Sequence, residues 1–383
     1  MNHHKPTPTS GNQTEAKADV LKLGIDIHKR QYVVVYQYDN EAARSPRKFS
    51  PEGFLDWIGK QRGKALRIVS CYEAGCFGYV RHRRLEAIGV GNFVVRPRNW
   101  DEYGSKVKTD GRDASELCSH LDRYLAGNKR ALRPVHVPTE EQERVRSLSR
   151  QRDTLAKERK RLQNVGISQA RYYGYDLQMG WWKSVNFKKL AKELPDFLLA
   201  ILKPFQSVLL AIDAQLRQTT AREERTANRP LPIGLGALTA SVLDREFGDY
   251  ARFTHRGAVS SYTGLCPGET SSGAQRRQGN INKHGNPRIR HNLIEACWRL
   301  LQFQPDYQPI KHWRMRMASE PFGPARKKKM IVAIARRFAV DWWRINTGQI
   351  RPEDVGLKVA FPSAYSTQAQ RQGRISKVYA KTA

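Results

Sequence analysis

Between residues 20 and 130 the chain alternates strand-like and helix-like segments in an order that few folds can satisfy. Two strand signals come first, Leu21–Ile27 and the β-branched, aromatic run Tyr32–Tyr38, and the short polar link between them suits a hairpin. Ser50 before Pro51 reads as a capped helix start over 50–61. A strand over Ala65–Cys71, a basic helix over Tyr79–Ile88, a strand over Gly91–Pro97 and a helix over Ala114–Leu125 complete the series. Strand, strand, helix, strand, helix, strand, helix is the pattern of an α/β layer.

Four acids fall at special points of that layer. Asp26 lies between Ile25 and Ile27, where an unpaired buried charge would be costly. A place on the solvent face of an edge strand would relieve it. Glu73 follows the third strand, and ligands of open sheets gather at strand ends. Asp110 and Asp113 sit three apart in V-K-T-D-G-R-D-A, with Lys106, Lys108, Arg112 and Arg123 nearby. On a helix that spacing puts both carboxylates on one face, and two like charges need a cation or a proton to relieve them. Four such oxygen donors suit two Mg²⁺ ions, and two ions about 3.5–4 Å apart serve phosphoryl transfer. Ordinary surface acids are the competing reading. Their joint placement in a chain with 36 acidic against 67 basic residues speaks against it.

The same imbalance, a formal charge of +31, calls for a polyanionic partner, with nucleic acid first. Five scattered cysteines, Cys71, Cys76, Cys118, Cys266 and Cys297, lack zinc-ligand spacing and imply reduced thiols in a cytoplasmic protein. No apolar run reaches the ~20 residues of a membrane span. Residues 1–19 are polar, read as a disordered leader, and lack the apolar core of a signal peptide.

Beyond a boundary at Pro134 and Pro138, Thr139 caps a long helix in which Val145, Leu148, Leu155, Leu162 and Val165 form a narrow apolar stripe. Gly174–Lys183 interrupts it, and a second helix runs from about Phe197 to Arg225. Together they read as an antiparallel coiled-coil hairpin, either a spacer, a dimerisation arm or a nucleic-acid surface. Gly234–Gly236, before a helix over Ala237–Arg245, resembles a helix-hairpin-helix turn that could meet a phosphate, or is a simple tight turn. Residues 262–293 form a Gly-, Ser-, Asn- and Arg-rich loop leading into a helix over Pro287–Phe303. A loop this long suits a phosphate backbone. Arg326–Lys329 precedes a helix over Met330–Ile345 with an apolar face, and the chain from about 352 reads as a basic tail.

The motifs G-I-D-I-H-K at 24–29, Y-E-A-G at 72–75 and K-T-D-G-R-D-A at 108–114 resemble the D-E-D-D set of RuvC-like insertion-sequence transposases related to the Piv pilin-gene invertase. Residues 264–290 resemble the second conserved domain of the same recombinases, G-L-x-P-x-x-x-x-S-G followed by G-x-I-x-K-x-G-N-x-x-(I/L)-R. The resemblance implies an RNase H-like domain over 20–133, a coiled-coil insertion for oligomerisation over 134–228, a mainly helical domain over 229–350 and a tail over 351–383. It implies Mg²⁺, two ions with Mn²⁺ able to substitute, held by Asp26, Glu73, Asp110 and Asp113. It makes Ser272 the nucleophile that forms a covalent phosphoserine with DNA, although the adjacent Ser271 fits if the loop shifts by one residue. Lys108, Arg112, Arg276, Arg277, Lys283, Arg288, Arg290, Arg326, Lys327 and Lys328 are then expected to contact nucleic-acid phosphates.

The expected function is therefore Mg²⁺-dependent DNA strand exchange by a dimer or tetramer, guided by a noncoding bridge RNA and associated with the nucleoid. A structure-selective nuclease that uses water as its nucleophile is a second reading. A domesticated nucleic-acid-binding protein is a third.

Overall fold

A computed structural model describes residues 17–97, 109–226, 229–269, 278–319 and 323–362. They fall into two compact units divided between Val137 and Pro138. The molecule is mixed α/β, with a five-stranded mixed sheet and a larger helical part.

The first unit is built on strands β1 (Ala18–Ile27), β2 (Tyr32–Tyr38), β3 (Arg47–Phe49), β4 (Ala65–Glu73) and β5 (Gly91–Val95). Helices α1 (Pro51–Gln61), α2 (Val80–Ala87) and α3 (Asp110–Leu125) complete it. The sheet order is β3-β2-β1-β4-β5. β1 pairs antiparallel with β2, and β4 lies parallel to both β1 and β5. This topology is compatible with the RNase H-like expectation.

Both faces of the sheet are covered, which is why β2 reads as an unbroken β-branched and aromatic run. On one face Leu21, Leu23, Ile25, Val34, Ile68 and Tyr72 pack against Phe54, Trp57 and Ile58 of α1 and Leu85 of α2. Each fully buried aliphatic side chain there contributes about 1.5–3 kcal/mol. On the other face Val33, Val35, Val69 and Cys71 meet Ala114, Leu117, Cys118 and Leu121 of α3. Ser50 caps α1 by accepting from Gly53 N at 3.1 Å, as its sequence position implies. β1 is the central strand, so Asp26 is not on an edge. β4 runs two residues further than expected and ends on Glu73. Helix α3 begins four residues earlier than expected, so Asp110 and Asp113 form its first turn.

The second unit opens with α4 (Glu140–Tyr172), started by a Thr139–Gln142 capping box. Helix α5 (Ser184–Leu190) interrupts the expected connection before α6 (Asp196–Arg225). The long helices are antiparallel: Arg152 bonds Thr220 at 2.8 Å, and Arg159 bonds Asp213 at 2.6 Å. The fully buried positions of α4 are Ser149, Gln163, Gly166 and Ala170, while Val145, Leu148, Leu155, Leu162 and Val165 are half-buried. At Gly166 a Cβ would collide with the Trp181 ring. Gln163 accepts from the indole N–H of Trp182 at 2.8 Å through its side chain and from that of Trp181 at 3.1 Å through its backbone. By length and composition alone α6 is the one described helix long and apolar enough to cross a membrane, although Lys203, Pro204 and Asp213 interrupt its apolar residues, so no continuous apolar run of that length is present in it. Its Asp213 is tied to both Arg159 and Arg217.

The chain continues through β6 (Leu231–Pro232), α7 (Ala237–Phe247), α8 (Arg256–Thr263), β7 (Pro267–Glu269), β8 (Gln278–Ile281), α9 (Pro287–Phe303), α10 (Gln308–Ser319), α11 (Pro324–Asn346) and β9 (Val359–Ala360). Helices α7, α8, α9 and α11 share one core with Phe247, Leu293, Leu300, Ile334 and Phe338. The start of the expected tail belongs to this unit. Val355 and Leu357 are buried, and β9 pairs antiparallel with β6.

One close approach orders the first unit. A Cβ on Gly24 would fall on the Ala114 carbonyl oxygen and the Cys118 amide nitrogen, so only glycine lets α3 lie this near β1. Gly24→Ala is expected to destabilise the protein by about 1–3 kcal/mol or more, because the obstacle is backbone. Gly59→Ala, in α1 with nothing within 4 Å, should be neutral or slightly stabilising in the same denaturation experiment.

Candidate active site

Residues two apart on a strand face the same way, so Lys22, Gly24 and Asp26 of β1 all look toward α3. The helix runs back along the strand. Lys22 is paired with Asp122, Gly24 lies under Cys118 and Ala114, and Asp26 stands opposite Asp110. Four strand residues from 22 to 26 span about 13 Å and twelve helical residues from 122 to 110 about 18 Å, so the helix overruns the strand at its ends while Gly24 meets its middle. Lys22 is 4% exposed, and its ammonium also donates to the Asp39 carbonyl at 2.6 Å. This buried pair fixes the far end of α3.

At the near end the carboxylates gather. Asp26 is partly buried, and its side chain is 23% exposed against 54% for Asp110. His28 stands between them, with Nε2 3.2 Å from Asp26 Oδ2 and 3.4 Å from Asp110 Oδ2. Among the described residues, Asp26, His28 and Asp110 form the group whose donor atoms could share one metal ion, all lying within 4.8 Å of one another. Burial raises the Asp26 carboxyl above the ordinary carboxylate range, His28 pulls it back, and the charges of Asp110 and Asp113 push it up again. Asp113 is thus close enough to be felt at Asp26.

Glu73 approaches from the neighbouring strand. Ile25 and Tyr72 are partners across the parallel β1–β4 pair, so Asp26 and Glu73 each lie one residue beyond, at the C-terminal ends of two interior strands. Glu73 is half-buried and its backbone pairs with Val95. Carboxylate oxygens, alone or with one imidazole, form a donor set that fits a divalent cation.

The basic residues separate into distinct groups. Arg112 is exposed in the first turn of α3. Arg326, Lys327 and Lys328 are exposed at the start of α11, with the Lys327 ammonium 5.7 Å from the Trp298 ring centre. Lys283 is exposed and holds a positive φ of 59°. Lys108, Ser271, Ser272, Arg276 and Arg277 lie outside the described residues.

Arg288 differs from expectation, because its guanidinium is turned inward. It donates to Asp153 at 2.5 Å, to Glu246 at 2.9 Å and to Ser149 at 2.8 Å, and its side chain is 13% exposed. Arg290 likewise donates to the backbone oxygens of Thr263 and Lys283 at 3.2 and 3.3 Å. These contacts hold the base of the 264–285 segment, where Gly264 and Gly285 bring two backbones into direct contact. In the Gly234–Gly236 turn the Gly234 carbonyl accepts from Arg299 at 3.1 Å, and the exposed Gly236 caps α7.

Sequence reasoning passed over two features. His28 stood inside a quoted motif, and its i, i+2 relation to Asp26 on a strand was the available signal. Glu246 gave none, since nothing local marks an acid 1% exposed whose partners come from α4 and α9.

Two expectations follow. Replacing Asp110 with Asn should lower the Asp26 pKa, read by carboxyl-carbon NMR titration, since one repelling charge is gone. For Glu246, burial alone would raise the carboxyl, but hydrogen bonds from Arg150, Asn286 and Arg288 outweigh it and hold it down at about 2. Its folded pKa lies below its ordinary value of 4.5, so its contribution is full above that value and is lost as pH falls toward about 2. Glu246→Ala should cost about 3–5 kcal/mol at neutral pH by stranding its arginine partners. Glu246→Gln should flatten the acid limb of the stability profile.

Comparison with known proteins gives a consistent picture. Residues 23–171 match a family model of DEDD type named for IS110 and described as a transposase, and residues 233–311 match one described as the transposase IS116/IS110/IS902 family. The y4rJ protein of Sinorhizobium fredii, which carries a transposase name, is 30% identical over 318 residues, covering 75% of this chain and 79% of its own. The transposase for insertion sequence element IS1328 of Yersinia enterocolitica is 25% identical over 303 residues, covering 76% and 86%. That for IS1111A of Coxiella burnetii is 25% identical over 314 residues, covering 76% and 82%.

Proposed function

This chain belongs to the DEDD transposases of the IS116/IS110/IS902 family, and on that premise we propose that it cuts and rejoins insertion-sequence DNA through a serine nucleophile. The observation that carries the reading is the convergence of Asp26 and Asp110 at the C-terminal end of β1, with Glu73 ending the adjacent strand. In this proposal Asp26, Glu73, Asp110 and Asp113 hold Mg²⁺ as two ions, with Mn²⁺ able to substitute. When bound, such ions neutralise charge on the attacking and leaving oxygens of a phosphoryl transfer.

The chain's own residues do the rest. The four carboxylates fix the reacting phosphate relative to the ends of β1 and β4. The Ser272 hydroxyl oxygen bonds to phosphorus while the bond to the leaving sugar oxygen breaks, and the hydroxyl proton ends on the released sugar hydroxyl. The phosphoserine conserves the energy of the phosphodiester, so a second strand's hydroxyl can reverse the step without ATP. Lys108, Arg112, Arg276, Arg277, Lys283, Arg326, Lys327 and Lys328 contact phosphates. Arg288 and Arg290 are left out of that set because their guanidinium groups are engaged within the fold.

The antiparallel α4–α6 hairpin, which lies in sequence between the catalytic domain and the serine-bearing domain, acts as a coiled-coil arm for dimer or tetramer formation. A noncoding bridge RNA pairs with donor and target DNA in the cytoplasm, and a charge of +31 accommodates RNA and DNA together.

Incubating the protein with Mg²⁺, a cognate element end and the co-purified RNA tests this. Ser272→Ala should abolish both the covalent protein–DNA adduct and strand exchange, Ser271→Ala should retain them, and Asp110→Ala should lose all cleavage. Continued cutting by Ser272→Ala would favour the water-dependent nuclease instead. Sequencing of the co-purified RNA should show enrichment of a transcript from the noncoding end of the element.

A further inference from the structure

We infer that His28 is itself a ligand of the cation site, making it a mixed nitrogen–oxygen centre instead of an all-carboxylate one. The inference rests on the metal-site reading above and deepens it. His28 lies two residues beyond Asp26, and its backbone N–H donates to Gln31 O at 3.0 Å, which closes the turn between β1 and β2 and fixes where the ring begins. The side chain is 51% exposed. Its Nε2 stands between a carboxylate oxygen of Asp26 and one of Asp110.

An imidazolium hydrogen-bonded to a carboxylate draws in to about 2.7–2.9 Å. Here one nitrogen makes a hydrogen bond of 3.2 Å to Asp26, longer than a charge-assisted pair, and stands 3.4 Å from Asp110, so it is shared between two oxygens and drawn in to neither. Adjacent ligands on an octahedral ion with bonds of about 2.1 Å are about 3.0 Å apart, and opposite ones about 4.2 Å. The observed separations are those of neighbouring donors around a common point. His28 and Asp26 reach that point from the sheet, and Asp110 from the first turn of α3.

An imidazole changes which ions the site prefers. Carboxylate sites suit Mg²⁺ and Mn²⁺ alike, whereas a nitrogen donor favours later first-row ions over Mg²⁺. The site should therefore hold Mn²⁺ in distinct preference to Mg²⁺, and His28 should be the cause.

Mn²⁺ titration of the full-length protein, followed by electron paramagnetic resonance with Mg²⁺ as competitor, tests this at one fixed pH where imidazole is neutral. Expected are a directly bound nitrogen in the pulsed spectrum of the parent protein and its loss in His28→Ala. The same change should weaken Mn²⁺ binding by about tenfold or more, with Mg²⁺ binding altered much less. Asp110→Asn serves as the control, and should weaken both ions. If His28→Ala binds both ions as well as or better than the parent, and the parent shows no nitrogen coupling, His28 is only a counter-charge and the inference falls. If Asp110→Asn leaves binding unchanged as well, the metal-site reading falls with it. The nitrogen coupling is read on the parent protein, so a poorly folding variant leaves the test intact.

Discussion

The backbone-to-backbone contact at Gly24 decides where the acids of the first unit can stand. A helix resting on side chains would lie well off the sheet, and Asp110 would be lifted away from Asp26. With no Cβ on Gly24, α3 settles onto β1, and the antiparallel run of helix and strand carries that contact to both ends. At one end the result is a buried Lys22–Asp122 pair, which opposite charge makes favourable. At the other the same register sets Asp110 against Asp26, which like charge makes unfavourable. A single packing constraint thus stabilises one contact and imposes the other.

The second unit solves a different problem by different means. Its helices converge where α4, α7 and α9 meet, and that junction is held by charge. Glu246 is 1% exposed and takes hydrogen bonds from Arg150, Arg288 and Asn286. A buried ion pair does not by itself argue for stability, since apolar packing often serves as well. Its effect here is specificity of arrangement, because each donor comes from a defined register on α4 or α9. Asn286 also caps α9, and Arg290 one turn later ties back to Thr263 and Lys283. The glycine-rich segment therefore leaves and re-enters the fold at a braced base.

Much of this was legible in the sequence because it is local. The β2 run, the Ser50 cap, the Thr139–Gln142 capping box and the Pro287–Phe303 helix depend on neighbours in the chain, and they stand where periodicity and capping put them. The start of α3 was missed because its first turn is polar, and apolar periodicity cannot mark a helix before its first buried residue, Ala114. The apolar stripe of α4 misled for the opposite reason. Its large residues are only half-buried, while the tightest positions are Ala170, Gly166, which admits Trp181, Gln163, which accepts from Trp181 and Trp182, and Ser149, which accepts from Arg288 of α9. The inward turn of Arg288 was illegible, since an arginine in a basic loop looks the same whether it meets DNA or a glutamate 42 residues away.

The convergence of Asp26 and Asp110 is harder to explain by stability than anything else in the first unit. Asp110 and Asp113 gain something from the amide dipoles of the α3 N-terminus, which favour negative charge in a first turn. Asp26 has no such support, and its carboxyl is raised by burial and by both neighbours. A chain selected only to fold could place a serine or asparagine at position 26 on the central strand and lose that repulsion. Instead the fold uses glycine at Gly24 to press the acids together and sets an imidazole where the charges meet. Local conflict of this kind, inside a layer that is otherwise consistent from turn to core, is not required by stability and is what the proposed cation site would relieve.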